Sequence, residues 1–368
     1  AAMADLGEAR HLNPADPGPY RTRGEFFLSQ KKTEEAIGEL KQAVALNVSD
    51  FESQFLLGQA WLNTNKVNEA IEAFSAALKV KPTDVRTLRA RATAYGRFEN
   101  YAAAMADFSA ILAQRPGDAA VTEARGVAAL QSGAHKQAIA DFSALLKGIG
   151  DRPDWRYFRG TALLNEKRAA DAAADFTASL AQAPGDADVL AARARAPQML
   201  DKFDGADADL TQALNAQPKA GALLVQRAQA RFLAGRYAEA AADFKAAQAL
   251  PGQISNANVQ NALWLFIAQG QAKQDGRESL VTTANGLNSR AWPAAVFRFY
   301  LGEVSAETVI NDAAGDASKT CEAHFYLGHA GLLLNQPEEA REQFTVALQA
   351  CGRESIEHQS ARMSLARM

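Results

Sequence analysis

An all-α fold, a right-handed solenoid of stacked helical hairpins, is predicted for this 368-residue chain by three observations. Residue types recur with a fixed period of 34; glycine and proline fall at regular intervals; alanine is abundant, while strand-like alternation of Val and Ile is missing. A repeat of that length is one supersecondary unit, too small to bury its apolar face unless neighbours stack on it.

The elements follow in order. Residues 1–16 read as the second helix of an incomplete repeat, with Ala2, Leu6, Ala9 and Pro14 in the places of the Ala, large, small and terminating residues. On that reading the chain starts mid-motif, as a piece of something longer or with that end covered. Seven repeats run from 17 to 254, aligned on Ala36, Ala70, Ala104, Ala138, Ala172, Ala206 and Ala240; an eighth, around Ala340, covers 321–354. The eighth place of each repeat is small (Gly24, Gly58, Ala92, Gly126, Gly160, Ala194, Ala228, Gly328), and the twentieth is always Ala. Short side chains let two antiparallel helices approach, so these places mark the expected crossing point. Four residues after the Ala comes a large plug (Leu40, Phe74, Phe108, Phe142, Phe176, Leu210, Phe244, Phe344), expected to fill the wedge between one hairpin and the next. Pro82, Pro116, Pro184 and Pro218 stop the second helix. Pro197 lies inside the first helix of the sixth repeat and predicts a kink.

This pattern resembles the tetratricopeptide repeat (TPR): the second repeat reads Leu57-Gly58, then Trp61, Ala70, Phe74 and Pro82. Between 255 and 320 the period breaks. Helices are expected at about 256–274 and 277–288, then a short pair at 294–301 and 305–314 following Trp292-Pro293. The regular hairpin resumes at Cys321, and 356–368 forms a final helix covering the exposed apolar face. The sequence thus divides into a regular array (1–254), degenerate helical pairs (255–320), and a last repeat with a capping helix (321–368). The order Trp264-Leu265, Trp292-Pro293, Phe299 to Glu303 and Cys321 to Gly328 resembles the NlpI-type family of bacterial TPR lipoproteins. That resemblance, over the last third, implies an adaptor of the cell envelope. The chain differs in having more regular repeats and no anchoring cysteine, so no partner can be transferred.

Arg occupies the seventh place in six repeats (Arg23, Arg91, Arg125, Arg159, Arg193, Arg227), and in the same six the twenty-third is acidic (Glu39, Asp107, Asp141, Asp175, Asp209, Asp243). The other two repeats have Leu57 with Ala73 and Leu327 with Gln343. Arg and acid come and go together, which predicts a ladder of ion pairs between helices, open to bidentate geometry. The alternative is an exposed cationic row for an anionic ligand.

Charge is nearly balanced, 39 basic against 42 acidic residues, which argues against a nucleic-acid surface. No apolar run is long enough for a membrane span. The start of the chain has no Met, basic region or apolar stretch, so any targeting segment is expected to have been removed. The two cysteines, Cys321 and Cys351, lie at the same end of the last hairpin, as a bridge or as two buried thiols. A bridge would place the chain in an oxidising compartment such as the periplasm; without it a cytoplasmic location stays open.

No phosphate loop, zinc motif, nucleophile elbow or calcium loop is present, so no catalytic, cofactor or metal site is expected. Cys321, His324 and His329 lack the spacing of a metal site, and His324 is expected to pack. Asp204, Asp207 and Asp209 lack the glycine and terminal Glu that calcium needs; a solvated helix face is expected. The resemblance to TPR proteins instead places a binding groove on the first helices. Its fifth, ninth and twelfth places include Phe55, Gln59, Leu62, Arg89, Glu123, Leu130, Tyr157, Thr161 and Leu164, then Arg195, Val225, Gln229 and Phe232. Such a mixed wall suits an extended peptide or a partner helix, and the expected function is a non-catalytic scaffold. An exposed repeat end could also pair with a second copy. The alternative function is the substrate-recognition arm of a larger enzyme, such as a glycosyltransferase.

Overall fold

A computed structural model describes residues 8–9, 11–250, 256–287 and 291–368. Among them are 21 helices and no strand. Half of the expected half-repeat at 1–16, including Ala2 and Leu6, falls outside the described residues. The chain forms two compact units, one ending at Asp175 and the other running from Phe176 to Met368. Their border lies inside the regular array, whereas the boundaries read from the sequence mark where the period breaks.

The first unit contains α1 (Pro17–Ser29), α2 (Thr33–Leu46), α3 (Phe51–Asn63), α4 (Val67–Val80), α5 (Val85–Arg97), α6 (Tyr101–Gln114), α7 (Ala119–Gln131), α8 (His135–Gly148), α9 (Pro153–Asn165) and the start of α10 (Ala169–Gln182). Consecutive helices pack as hairpins, and each hairpin packs on the next. An Asp closing one repeat begins the next: Asp84 caps the backbone N–H of Thr87 and Asp118 that of Val121, satisfying donors the first turn leaves open. Within the hairpin the turn needs a left-handed residue, and Lys31, Asn65, Glu99 and Gly133 provide it at the fifteenth place.

The small eighth place proves to be the seat of the plug of its own hairpin. A Cβ on Gly58 would stand 2.5 Å from the Phe74 ring, and one on Gly24 2.5 Å from Leu40. In the final hairpin the close backbone approach lies between Gly331 and the twentieth-place Ala340, whose backbone a Cβ on Gly331 would meet at 2.9 Å. The plug also reaches the next hairpin as expected, since Phe142 stacks on Phe158 with ring centres 5.3 Å apart.

The second unit holds the end of α10, then α11 (Ala187–Met199), α12 (Phe203–Ala216), α13 (Gly221–Leu233), α14 (Tyr237–Gln248), α15 (Asn256–Gln271), α16 (Arg277–Asn285), α17 (Ala294–Tyr300), α18 (Ala306–Ala313), α19 (Ala317–Leu333), α20 (Pro337–Ala350) and α21 (Ile356–Arg367). Pro197 lies two residues before the end of α11. The last hairpin starts a turn earlier than expected because Asp316 caps Ser318 and Lys319. Rather than extending the stack, α19 returns to α15. Trp264 meets Phe232, Phe244 and Phe325, while His329 sits edge-on to Phe232, Phe325 and Phe344. Helix α21 then lies against α19, α20 and α13. Arg362 clasps both carboxylate oxygens of Asp201 at 2.9 and 2.5 Å, and Arg367 donates to the Leu233 carbonyl.

Candidate protein-binding surface

In the first unit, first helices touch first helices: α1 packs on α3, α3 on α5 and α7 on α9. A wall built this way is the inner side of a curved stack. Between α3 and α5 it opens a cleft of about 580 Å3, lined by Phe55, Gln59, Arg86, Arg89, Thr93 and Arg115 among others. Further along, Glu123 faces Arg152 at 3.7 Å, and Leu130 packs half-buried near Trp155. Half-buried Tyr157 lies against the Phe158 ring, and its carbonyl accepts the Thr161 hydroxyl at 2.9 Å. Gln59 and Leu62 are also half-buried, and Arg89 is exposed beside Asp118 at 3.0 Å.

Three residues expected on the wall are almost wholly enclosed, although Phe55 still lines the cleft with its small exposed part. Phe55 is only 6% exposed, Leu164 2% and Phe232 1%. At the twelfth place Leu164 and Phe232 are drawn into the core, Phe232 between the rings of Trp264 and His329, whereas Leu62 and Leu130 stay half-buried. In the second unit the wall is also covered by the chain itself. Val225 packs against the same core as Phe232, and α21 lies along α13; Gln229 remains half-buried and Arg195 exposed.

The ion-pair ladder is present at all six places. In five the guanidinium is bidentate: Arg125 Nε and Nη2, for example, donate to Asp141 at 2.9 and 2.6 Å. The third nitrogen reaches back one repeat to a hydroxyl, on Ser75, Ser109, Ser143, Thr177 and Thr211 respectively. These hydroxyls occupy the twenty-fifth place, whereas Lys41 fills it just before the repeat that has Leu57 for Arg. Each of these five arginines therefore ties two helices of one hairpin to the hairpin before it. The hydrogen bonds donated to Asp243 hold Arg227, and those donated to Asp107 hold Arg91, above the usual guanidinium range despite burial. Spent in this way, the ladder leaves no cationic row for a ligand.

The expected solvated acidic face is corrected at Asp207, which pairs with Arg231 at 2.6 Å and Arg236 at 3.0 Å; Asp204 does stand in solvent. His324 bonds Gln343 at 2.7 Å. His329 is fully buried, and burial pushes its pKa down to about 3. Among the described residues no group of three His, Cys, Asp or Glu side chains could hold a metal ion. Cys321 and Cys351 form a disulfide, with Cα atoms 4.7 Å apart, tying the start of α19 to the end of α20.

The sequence profile described as Tetratricopeptide repeat matches residues 21–85, 89–153, 148–187 and 192–254, more than half of the chain. The chain belongs to the tetratricopeptide repeat family. TPR proteins are in general non-catalytic scaffolds that bind other proteins, and the fold of this one is that of such a scaffold. No curated protein matches the sequence. Among solved structures, a TPR protein from Parabacteroides merdae is 19% identical with a TM-score of 0.46, over 69% of this chain and 98% of that one. The structure of Naa15/Naa10 bound to HypK-THB is 18% identical with a TM-score of 0.50; it covers 98% of this chain, which spans 63% of that one. A C-terminal part of a TPR protein from Cytophaga hutchinsonii is 16% identical, with a TM-score of 0.43, over 80% of this chain and 95% of that one. For this TPR chain, no helix among the described residues is long and apolar enough to cross a membrane. Reasoning from the fifth, ninth and twelfth places missed Arg86 and Arg115, which line the cleft from the second and thirty-first. Their signal was in the sequence, since the thirty-first place is Lys81 and then Arg115 on either side of Arg86.

Proposed function

We propose that this chain is a non-catalytic adaptor that holds a partner protein, as an extended peptide or a helix, along the first-helix wall of its first unit. The observation that carries this reading is the contrast between the two walls. In the first unit the wall presents a cleft and a mixture of polar and apolar side chains, whereas the second unit lays its own helix α21 along α13. A wall of that composition offers anchors for a chain and polar groups that fix its register. The test replaces Tyr157 with Ala and Thr161 with Arg, neither of which is fully buried. Partner capture by the full chain should fall while its helicity and melting stay close to the parent's. Undiminished capture would move the binding surface elsewhere.

We further propose a location in the cell envelope. The disulfide, which is rare in reducing compartments, and the C-terminal resemblance to envelope lipoproteins support it. Thiol titration of unreduced, denatured protein from its native source should find no free thiol. Two reactive thiols would argue for a cytoplasmic protein.

A further inference from the structure

We infer that the cleft between α3 and α5 is a docking site for an acidic peptide segment. This rests on the scaffold reading and names the chemistry of the partner. The chain carries a net charge of −3, yet Arg86, Arg89 and Arg115 converge on this cleft, and Lys81 lines an adjoining depression that shares Arg86 and Arg115 with it. Arg115 is exposed, and among the described residues no acidic side chain pairs with it. The acids nearby are already engaged. Asp84 accepts both the backbone N–H and the hydroxyl of Thr87, at 2.8 and 2.7 Å, and Asp118 caps Val121 at 3.1 Å. Burial pushes the Asp84 carboxyl up, but the Thr87 hydrogen bonds and the charges of Arg86 and Lys81 outweigh it and hold it below its usual range.

The arginines keep donors to spare. Arg86 meets Glu52 at 3.3 Å and Asp84 at 3.8 Å with 58% of its side chain exposed, and Arg89 meets Asp118 at 3.0 Å with 46% exposed. A guanidinium has five N–H groups, so one or two such contacts leave others aimed at solvent. This is the opposite of the ladder, where carboxylate and hydroxyl together occupy all three nitrogens. The cations are also held in place before any ligand arrives. The Arg86 guanidinium stands 4.9 Å from the Phe55 ring centre, and the Lys81 ammonium 4.2 Å from that of Phe51. Aromatic faces attract cations and reduce the freedom lost on binding. Beside the charges, Gln59 and Thr93 line the cleft and can bond a peptide backbone. Planar guanidinium groups match carboxylates in particular, since each fork takes two oxygens.

The test uses the full chain and fluorescence anisotropy with a labelled peptide, Glu-Glu-Leu-Glu-Glu-Phe. Binding should weaken as salt is raised, and the matching lysine peptide should not bind. The double change Arg86→Glu and Arg115→Glu should weaken binding by at least about tenfold with the circular dichroism unchanged, because charge reversal at a binding rim repels the same ligand. Lys136→Glu, on the exposed side of α8, should leave it unaltered. No binding by the parent, or equal binding by the double variant, would overturn the inference. So would an oligothymidylate strand that binds as tightly through the same arginines, which would reassign the cleft to nucleic acid. If a native partner is still captured by the charge-reversed chain but lost with the Tyr157 and Thr161 changes, the acidic site fails and the scaffold stands. If those wall changes also leave capture intact, the scaffold reading itself fails.

Discussion

Replacing Arg125 with Leu and Asp141 with Ala together would give the fourth repeat the apolar pair that the second repeat already has in Leu57 and Ala73, both buried. Separately, each change strands a partner. Asp141 has a side chain only 3% exposed and accepts from Arg125 at 2.9 and 2.6 Å and from the Gln137 amide at 2.9 Å. Without Arg125 the carboxylate keeps only that amide, and the Ser109 hydroxyl loses its donor at 3.2 Å. Breaking a fully buried pair costs about 3–5 kcal/mol; because Arg125 is 20% exposed, about 2–4 kcal/mol is expected for Arg125→Leu. Asp141→Ala frees a guanidinium that can reach water, so about 1–3 kcal/mol is expected. The double variant removes both charges and should lie within about 1 kcal/mol of the parent, far below the sum. Urea unfolding followed by far-UV circular dichroism reads the totals, and hydrogen exchange of α7 and α8 localises them, since stacked repeats can unfold in parts. A double variant as damaged as the sum of the singles would refute the pairing as the reason the two residues occur together.

Three further outcomes follow from the packing. Gly58→Ala places a methyl 2.5 Å from the Phe74 ring and should destabilise by about 1–3 kcal/mol, whereas Gly96→Ala, in open space within α5, should stabilise by about 0.5–1 kcal/mol; parallel urea melts decide both. Burial of His329 pushes its pKa down to about 3, so between that value and about 6.5 the unfolded chain binds the extra proton. The stability this group contributes is full above about pH 6.5 and falls by up to about 1.4 kcal/mol per unit below it, and His329→Leu should flatten that slope in melts taken across the range. Reducing the Cys321–Cys351 bond, which closes 30 residues of sequence, should lower the stability of the last hairpin by about 3–4 kcal/mol, visible as faster amide exchange in α19 and α20 before any change in α3 to α8.

The hairpins were legible because their causes are local and repeat. A capping Asp, a left-handed fifteenth residue, a small seat and a large plug each act within one repeat, so the 34-residue period exposes them. The ladder was legible for the same reason, since Arg and acid vary together. Its third member lies outside any single repeat, because the hydroxyl at Ser109 or Thr211 belongs to the one before the arginine. The fate of Phe232 was hidden for a different reason. Its twelfth place suggested an open wall, but α21, more than a hundred residues later, returns to α13, and α19 brings His329 against its ring. A period describes neighbours in sequence and cannot announce such a return. The cleft shows the limit from the other side, because Arg86 and Arg115 converge only once α3, α5 and the end of α6 are packed.

The central claim is that partners are held on the first helices of the first unit, and position-specific photo-crosslinking tests it most directly. A photoreactive side chain is placed in turn at Gln59, Thr93 and Tyr157 on the wall, and at Glu72 and Ala106 on exposed faces of the second helices α4 and α6. The account predicts crosslinks to one partner from the wall positions and none from Glu72 or Ala106. Crosslinks confined to Glu72 and Ala106, with the wall silent, would contradict it.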